Sequence, residues 1–280
     1  RNYTDIARIN EWLVDSPPRT LREAVQFLAW FQTFDRMYFA GGAMQQIDTL
    51  LLPFYQKDKV EGVISDDSEV VWYLASLLFN DTHYHQISGP APADGHDLTN
   101  PVSFAMLEAM HKSGIPSNVA VRLHDRIDDD LMNQAIRNLF EDGTGVSFSC
   151  ADGLDSGFVK NGYPLQLARM RAKVGCNWTA LPGIEYCLQD VTRACMVAPL
   201  LIAFYEMIDD KTCENSIESL WKKYANHLEI EVETIKKGFD WHYENKHRNV
   251  PEMVLNLFFH GPIERGLDMS AGGTDIYNFT

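Results

Sequence analysis

A thiol that does chemistry needs a rigid, sheltered setting. The stretch AKVGCNWTALPGIEYC, residues 172–187, can supply one around Cys176. Val174 reads as the end of a short apolar strand. Gly175 lets the backbone bend or pack closely. Asn177, Pro182 and Gly183 hold a loop open. The pattern lifts a cysteine on a tight turn into a protein interior. A bland reading stands beside it: a lone cysteine after an apolar strand is commonly a small buried hydrophobe. Spacing alone leaves both open.

Other reactive side chains carry less. There are five cysteines, at 150, 176, 187, 195 and 213. None forms a CxxC pair, and an odd number cannot pair fully within the chain, so a reducing compartment is expected. Cys187 and Cys195 read as packing residues, and Cys150 as a residue that could lie near Cys176. His83, His85 and His96 invite a metal hypothesis. No third ligand with recognisable metal spacing accompanies them, so no metal is expected. Trp178 can stack on an apolar substrate or simply pack the loop. Asn177 can bond substrate or fix the turn. Arg193 can hold a substrate carboxylate or pair with Glu185 or Asp190. Arg122, on a strand, carries the same two readings.

The net charge of −15 argues against nucleic acid or an anionic membrane as partner. The 45% hydrophobic content can fill a substantial core. The longest apolar run, 194–208, contains Pro199 and Glu206. It is too short to span a bilayer and reads as a core helix. No signal peptide opens the chain, so a cytoplasmic setting is expected. The chain starts at Arg1 and stops at Thr280, which reads as a piece of something longer.

The elements that must position the cysteine follow from periodicity. Helices are expected over 3–13 and from Thr20, which caps its helix with Glu23 in a capping box. Residues 41–58 read as a loop and a short helix. Acidic residues 66, 67 and 69 open another helix, and 81–100 reads as a loop. Thr99 or Asn100 caps a helix from Pro101. Strands are expected at 118–124, 145–150 and 173–176. A helix over 128–143 and two pieces divided by Gly162 lie between them. That alternation is an α/β layer or barrel. Helices from Asp190 to Met207 and from 214 to 244 follow, the second with Trp221 and Trp241 on a half-buried face.

Taken in order, several segments resemble the glycyl radical enzymes of the pyruvate formate-lyase superfamily. GFVKNGYPLQLARMRAKVGC is similar to the family's approach to its radical-bearing cysteine. GGAMQQIDTLLLPFYQKD resembles its helix-to-loop segment. GHDLTNPVS resembles its G-x-D-x-x-N segment through Gly95, Asp97 and Asn100. VRLH, GTGVSFS and IERGLDMSAGG also fall in the family's order.

The resemblance implies an α/β fold, part of a ten-stranded α/β barrel with a cysteine finger loop and outer helices. All of 1–280 would be a partial barrel domain, with the glycyl segment, Arg-Val-x-Gly-Tyr in the family, absent. It implies cleavage of C–C or C–heteroatom bonds of a small organic substrate, with Cys176 as the thiyl residue. The cofactor is a glycyl radical outside this chain, with no bound metal or organic cofactor. A separate S-adenosylmethionine iron–sulfur activating enzyme is the implied partner, and the full-length form would be a homodimer. The family's glutamate two residues after the cysteine is Trp178 here. Glu185, the nearest carboxylate, becomes the candidate base. Gly175 before Cys176 departs from the cysteine pair of formate-forming members. Two other readings remain: a non-catalytic remnant or scaffold of the same fold, and an anaerobic ribonucleotide reductase type, for which no phosphate-cradling glycine motif appears.

Overall fold

A computed structural model describes residues 2–38, 44–81, 84–143, 145–175, 178–188 and 192–279. The chain forms two compact units, Arg1–Pro182 and Gly183–Thr280.

The first unit is built on a parallel sheet. Strands β1 (Gln45–Gln46), β2 (His85–Ile87), β3 (Val119–Leu123) and β4 (Val146–Cys150) lie side by side in chain order. Every neighbouring pair is parallel. Strands laid down in that order, with helices between them, make a parallel α/β layer of the kind that builds barrels. Among the described residues this sheet has four strands. The strand at 85–87 lies inside a segment that composition reads as a loop. Its three residues are flanked by turn formers, and its neighbours in the sheet decide its conformation.

The helices before and between the strands begin where their caps demand. They are α1 (Asn2–Leu13), α2 (Leu21–Tyr38), α3 (Ile47–Val60), α4 (Asp67–Asn80), α5 (Pro101–Ser113) and α6 (Asp129–Asp142). Thr20 accepts from the Glu23 amide at 3.2 Å, but Glu23 reaches back to Arg19 rather than to Thr20. The expected capping box is therefore shifted by one residue. Asn100 caps α5 in a reciprocal box with Ser103. Asp128 caps α6 through the amides of Asp130 and Leu131. Gly114 and Gly143 close α5 and α6 in the left-handed conformation. The 47–60 stretch is one continuous helix of 14 residues with Pro53 inside it, longer than its loop-like start suggests. Pro53, in the second turn, has no N–H to give the Thr49 carbonyl four residues earlier, and the helix nonetheless runs through it.

The sheet has two unlike faces. Ile87, Val119, Val121 and Val146 point into the main core with Leu74, Leu77, Met106 and Leu107 from the helices. The alternate residues are Gln46, Gln86, Ala120, Arg122, Ser147 and Ser149. The helix-covered outer face is thus apolar, and the inner face is mostly polar.

After β4 come α7 (Ala151–Lys160) and α8 (Leu165–Met170), then strands β5 (Ala172–Val174) and β6 (Trp178–Ala180). These two strands form an antiparallel hairpin that pairs Val174 with Trp178. Cys176 and Asn177, in the link between them, lie outside the described residues.

In the second unit β7 (Glu185–Leu188) pairs in parallel with β8 (Ile276–Phe279). The helices are α9 (Val197–Asp209), α10 (Ile217–Asn249) and the short α11 (Pro262–Arg265). The apolar helix starts at Val197, not Asp190, and Asp190 itself is outside the described residues. It is not a core helix within this chain: only Pro199, Ala203 and Met207 are buried. Trp221 and Trp241 are exposed rather than half-buried, because α10 is long and mostly charged. Cys195 is exposed and does not pack. Among the described residues no helix is long and apolar enough to cross a membrane.

One buried charge works against the fold. Asp35 on α2 is 1% exposed, and among the described residues neither carboxylate oxygen has a hydrogen-bond partner. Burial, and then the nearby Asp81 carboxylate, push it up from 3.8 to about 6. The folded state therefore binds this proton more tightly than the unfolded chain. Its contribution is best below the unfolded value and worsens as pH rises towards 6. At ~1.4 kcal/mol per pH unit the full cost above that window is about 3 kcal/mol. Asp35→Asn is expected to raise stability by about 2–3 kcal/mol at pH 7 and by little below pH 4. Urea unfolding at the two pH values checks this; equal gains at both would refute it.

Candidate functional site

The hairpin lies against the polar inner face of the sheet. The Lys173 amide on β5 donates to Gln86 Oε1 on β2 at 2.7 Å. The Lys173 ammonium donates to Ser147 Oγ on β4 at 2.8 Å. One residue thus ties the hairpin to two non-adjacent strands. Gly175, at the hairpin's turn, is buried and has φ +65°. A side chain there would be strained, so glycine before the cysteine is a backbone requirement.

Behind Gln86 stands a buried carboxylate. Gln86 Nε2 donates to Gln46 Oε1 at 2.6 Å. Gln46 Nε2 donates to Asp48 Oδ1 at 3.0 Å and to the Ser88 carbonyl at 2.7 Å. Asp48, fully buried at the start of α3, also accepts from the amides of Ser88 and Thr49 and from Ser103 Oγ. Burial raises its pKa, and these donors pull against that rise. Ser88 is held at φ +61°, a costly conformation for a non-glycine residue. There its amide meets Asp48 and its hydroxyl contacts Asp97 and Thr99.

Arg122 fixes the base of the hairpin. Its side chain is 3% exposed and pairs with Asp155 on α7 at 2.7 Å. It also donates to the carbonyls of Ala168, Arg169 and Arg171, where α8 ends and β5 begins. Of these the Ala168 carbonyl also accepts from the Arg171 amide at 3.2 Å, so Arg122 adds a second donor there and meets the Arg169 and Arg171 carbonyls where the short helix ends. Gly89 leaves room for the arginine stem: a Cβ there would lie 3.0 Å from Arg122 Cδ. Burial lowers the Arg122 pKa against the pull of Asp155, and burial raises Asp155 against the pull of Arg122. Arg171, next in line, donates to the Thr179 carbonyl on β6 and covers the Phe158 ring at 3.9 Å.

At the C-terminal ends of β3 and β4, where ligands of parallel sheets bind, a cleft of about 590 Å³ opens between Pro90, Asp125, Asp155, Ser156, Lys160 and Arg169. His124 also lines it, buried and bonded to Asp97 at 3.0 Å. Burial raises the Asp97 pKa, but the hydrogen bonds from His124, Thr99 and the Asp128 amide outweigh it, so the net shift is downward. The cleft carries both signs of charge, and Val159 and Leu165 add apolar wall to it. Among the described residues no three His, Cys, Asp or Glu are grouped to hold a metal ion. His83 lies outside them.

The sequence candidates fall in different places. Cys176 and Asn177 lie outside the described residues. Trp178 is half-buried at the first position of β6, directly across from Val174. Arg122 is engaged with Asp155 and three carbonyls, which is the ion-pair alternative rather than an open substrate contact. Glu185, 4% exposed, opens β7, and the exposed Arg193 precedes α9; both belong to the second unit. Sequence reasoning missed Gln46, Gln86, Lys173 and Asp155, whose partners stand far away along the chain.

Comparison with known proteins fits this geometry. The family model described as pyruvate formate lyase-like matches residues 1–280. An isethionate sulfite-lyase of Nitratidesulfovibrio vulgaris is 28% identical over 169 residues, covering 52% of this chain and 20% of that protein. A glycyl radical enzyme structure from Archaeoglobus fulgidus superposes with TM-score 0.83 at 20% identity, over 98% of this chain and 40% of its own. A structure of 1,2-propanediol dehydration in Roseburia inulinivorans gives 0.84 at 18%, over 99% and 38%. The chain therefore spans about a fifth of that curated relative and about two fifths of the solved structures. With the α/β wall, the inner-face hairpin and a match along its whole length, the chain belongs to the pyruvate formate lyase-like family.

Proposed function

We propose that this chain is part of the barrel of a glycyl radical lyase that cleaves a C–heteroatom bond of a small organic substrate, with Cys176 as its hydrogen-transfer residue. The observation that carries the reading is the hairpin on the polar inner face, tied by Lys173 to β2 and β4, with Cys176 in its link. A glycyl radical, when present, supplies the ability to take the hydrogen from the Cys176 thiol. The resulting thiyl takes hydrogen from a substrate C–H bond, the neighbouring leaving group departs, and Cys176 returns hydrogen to the product. A sheltered inner face suits this, because water and oxygen must be excluded.

The roles proposed for the other residues follow from their chemistry and their nearness to Cys176 in the sequence. Trp178, beside the link, offers an aromatic face to the substrate, and Asn177 a hydrogen bond. Glu185 is the candidate for moving a proton with the leaving group, and Arg193 for an anionic substrate group. Arg122 has its donors engaged and acts through the hairpin instead. Elimination is favoured over acetyl transfer by Gly175 in place of a second cysteine and by the sulfite-lyase relative.

The test uses the full-length protein, treated anaerobically with an S-adenosylmethionine iron–sulfur activating enzyme. The expected result is an organic radical signal by electron paramagnetic resonance, lost on exposure to air, and substrate-dependent release of sulfite or water from small hydroxylated substrates. A protein that forms no radical and keeps its cellular role with Cys176→Ala would be a scaffold, and the reading would fall.

A further inference from the structure

We propose that Gln86, oriented by Gln46 and Asp48, is a positioning residue that sets the depth and register of the hairpin carrying Cys176. Its catalytic consequence rests on the reading of Cys176 given above; the tether itself does not.

The argument is one of donors and acceptors. Backbone amides can only donate and backbone carbonyls can only accept. Asp48 is met by donors on every side: the Ser88 and Thr49 amides, Ser103 Oγ and Gln46 Nε2. The Ser88 carbonyl also asks Gln46 for a donor, at 2.7 Å. Gln46 must therefore turn its nitrogen toward Asp48 and its oxygen toward Gln86. Gln86 must then meet that oxygen with its own nitrogen, at 2.6 Å. Only its oxygen remains, and it faces the Lys173 amide at 2.7 Å. Each amide is locked by the one before it, and the buried carboxylate sets the direction of the whole row.

The row ends at a backbone amide, not a side chain. It thus fixes the strand itself, whatever residue stands at 173. The Lys173 ammonium on Ser147 is a second point of attachment, on β4. Two points on strands that flank β3 determine both the height and the angle of the hairpin above the sheet. The chain from Lys173 to Cys176 is three residues long, so a shift at Lys173 is passed on to the thiol. Hydrogen transfer needs near-contact geometry, and small displacements there are costly.

The test reads thiol reactivity in the unactivated full-length protein. Iodoacetamide labelling of Cys176, followed by mass spectrometry of its peptide, is compared with labelling of the exposed Cys150 and Cys195. Gln86→Met keeps the length and removes both hydrogen bonds. It is expected to speed Cys176 labelling about tenfold relative to the two reference thiols, the effect of losing one typical hydrogen bond on a local opening. Gln46→Met, one step further from the hairpin, gives a smaller rise and serves if the first variant fails to fold. Unchanged labelling, or a rise shared by all three thiols, overturns the tether. In the activated enzyme the same variants are expected to lower kcat, counted per folded and radical-bearing molecule, with KM held. The labelling result needs no turnover, so it is decided separately from whether Cys176→Ala silences the enzyme.

Discussion

Cys176→Ala in the activated full-length enzyme is expected to abolish turnover, a loss on the order of 10⁶-fold, the scale seen when a covalent participant is removed. Alanine offers no hydrogen on a heteroatom, so nothing passes hydrogen to or from the substrate. Cys176→Ser is expected to fare no better, although it is close in size and keeps a hydroxyl. An O–H bond is stronger than a thiol S–H bond, and a serine does not yield its hydrogen to a carbon radical. Neither change should disturb the fold, because Lys173 and Arg122 tie the hairpin to its surroundings. Three measurements separate the possibilities: product formation, radical content and thermal unfolding. Product lost with radical and stability retained fits the proposal. Product formation within tenfold of the parent would end it.

The contrast with an ordinary reactive thiol is useful. A thiolate nucleophile would show a pH profile set by the pKa of Cys176. A hydrogen-transfer thiol works as the neutral S–H, so rate should not rise with thiolate fraction. What matters under this proposal is position, which Gly175, Lys173 and the inner-face amides are proposed to set.

How much of this could be read in the chain depends on the length scale of the signal. The 128–143 helix was legible because Asp128 caps it and Gly143 ends it, both local effects. The 118–124 and 145–150 strands were legible as β-branched runs. The strand at 85–87 was not, because three residues carry no period and its partners lie 34 residues away in β3 and 40 in β1. Asn100 was legible as a cap for the same reason as Asp128. The role of Gln86 was invisible: its partners Gln46 and Lys173 stand 40 and 87 positions away. The candidate residues around the cysteine were named from their chemistry and their nearness in sequence, and their separation into two units was not foreseen. The late start of the apolar helix at Val197 also escaped the pattern, since apolar residues alone do not set a helix start without a cap.

The second large effect is at Arg122. Arg122→Met is expected to destabilise the first unit by about 3–5 kcal/mol, the usual result of removing one partner of a buried pair. The loss has two parts. Asp155, 5% exposed, is left as a buried carboxylate without its cation. The carbonyls of Arg169 and Arg171 lose the Arg122 donor where α8 turns into β5, and that of Ala168 is left with the Arg171 amide. Arg122→Lys keeps a charge but cannot spread donors over several oxygens, so it should recover only part. Arg122→Met with Asp155→Leu removes both charges and should recover more than the sum of the two single changes allows. Chemical denaturation of the four variants provides the cycle, and Arg122→Met within 1 kcal/mol of the parent would refute the assignment. The same set decides between the two readings of this arginine. If Arg122 gripped a substrate carboxylate, Arg122→Lys would raise KM and leave stability alone. If it holds the start of the hairpin, stability and kcat fall while KM stays. The second pattern is expected, because a guanidinium already spent on Asp155 and three carbonyls acts on the substrate only through the strand that it supports.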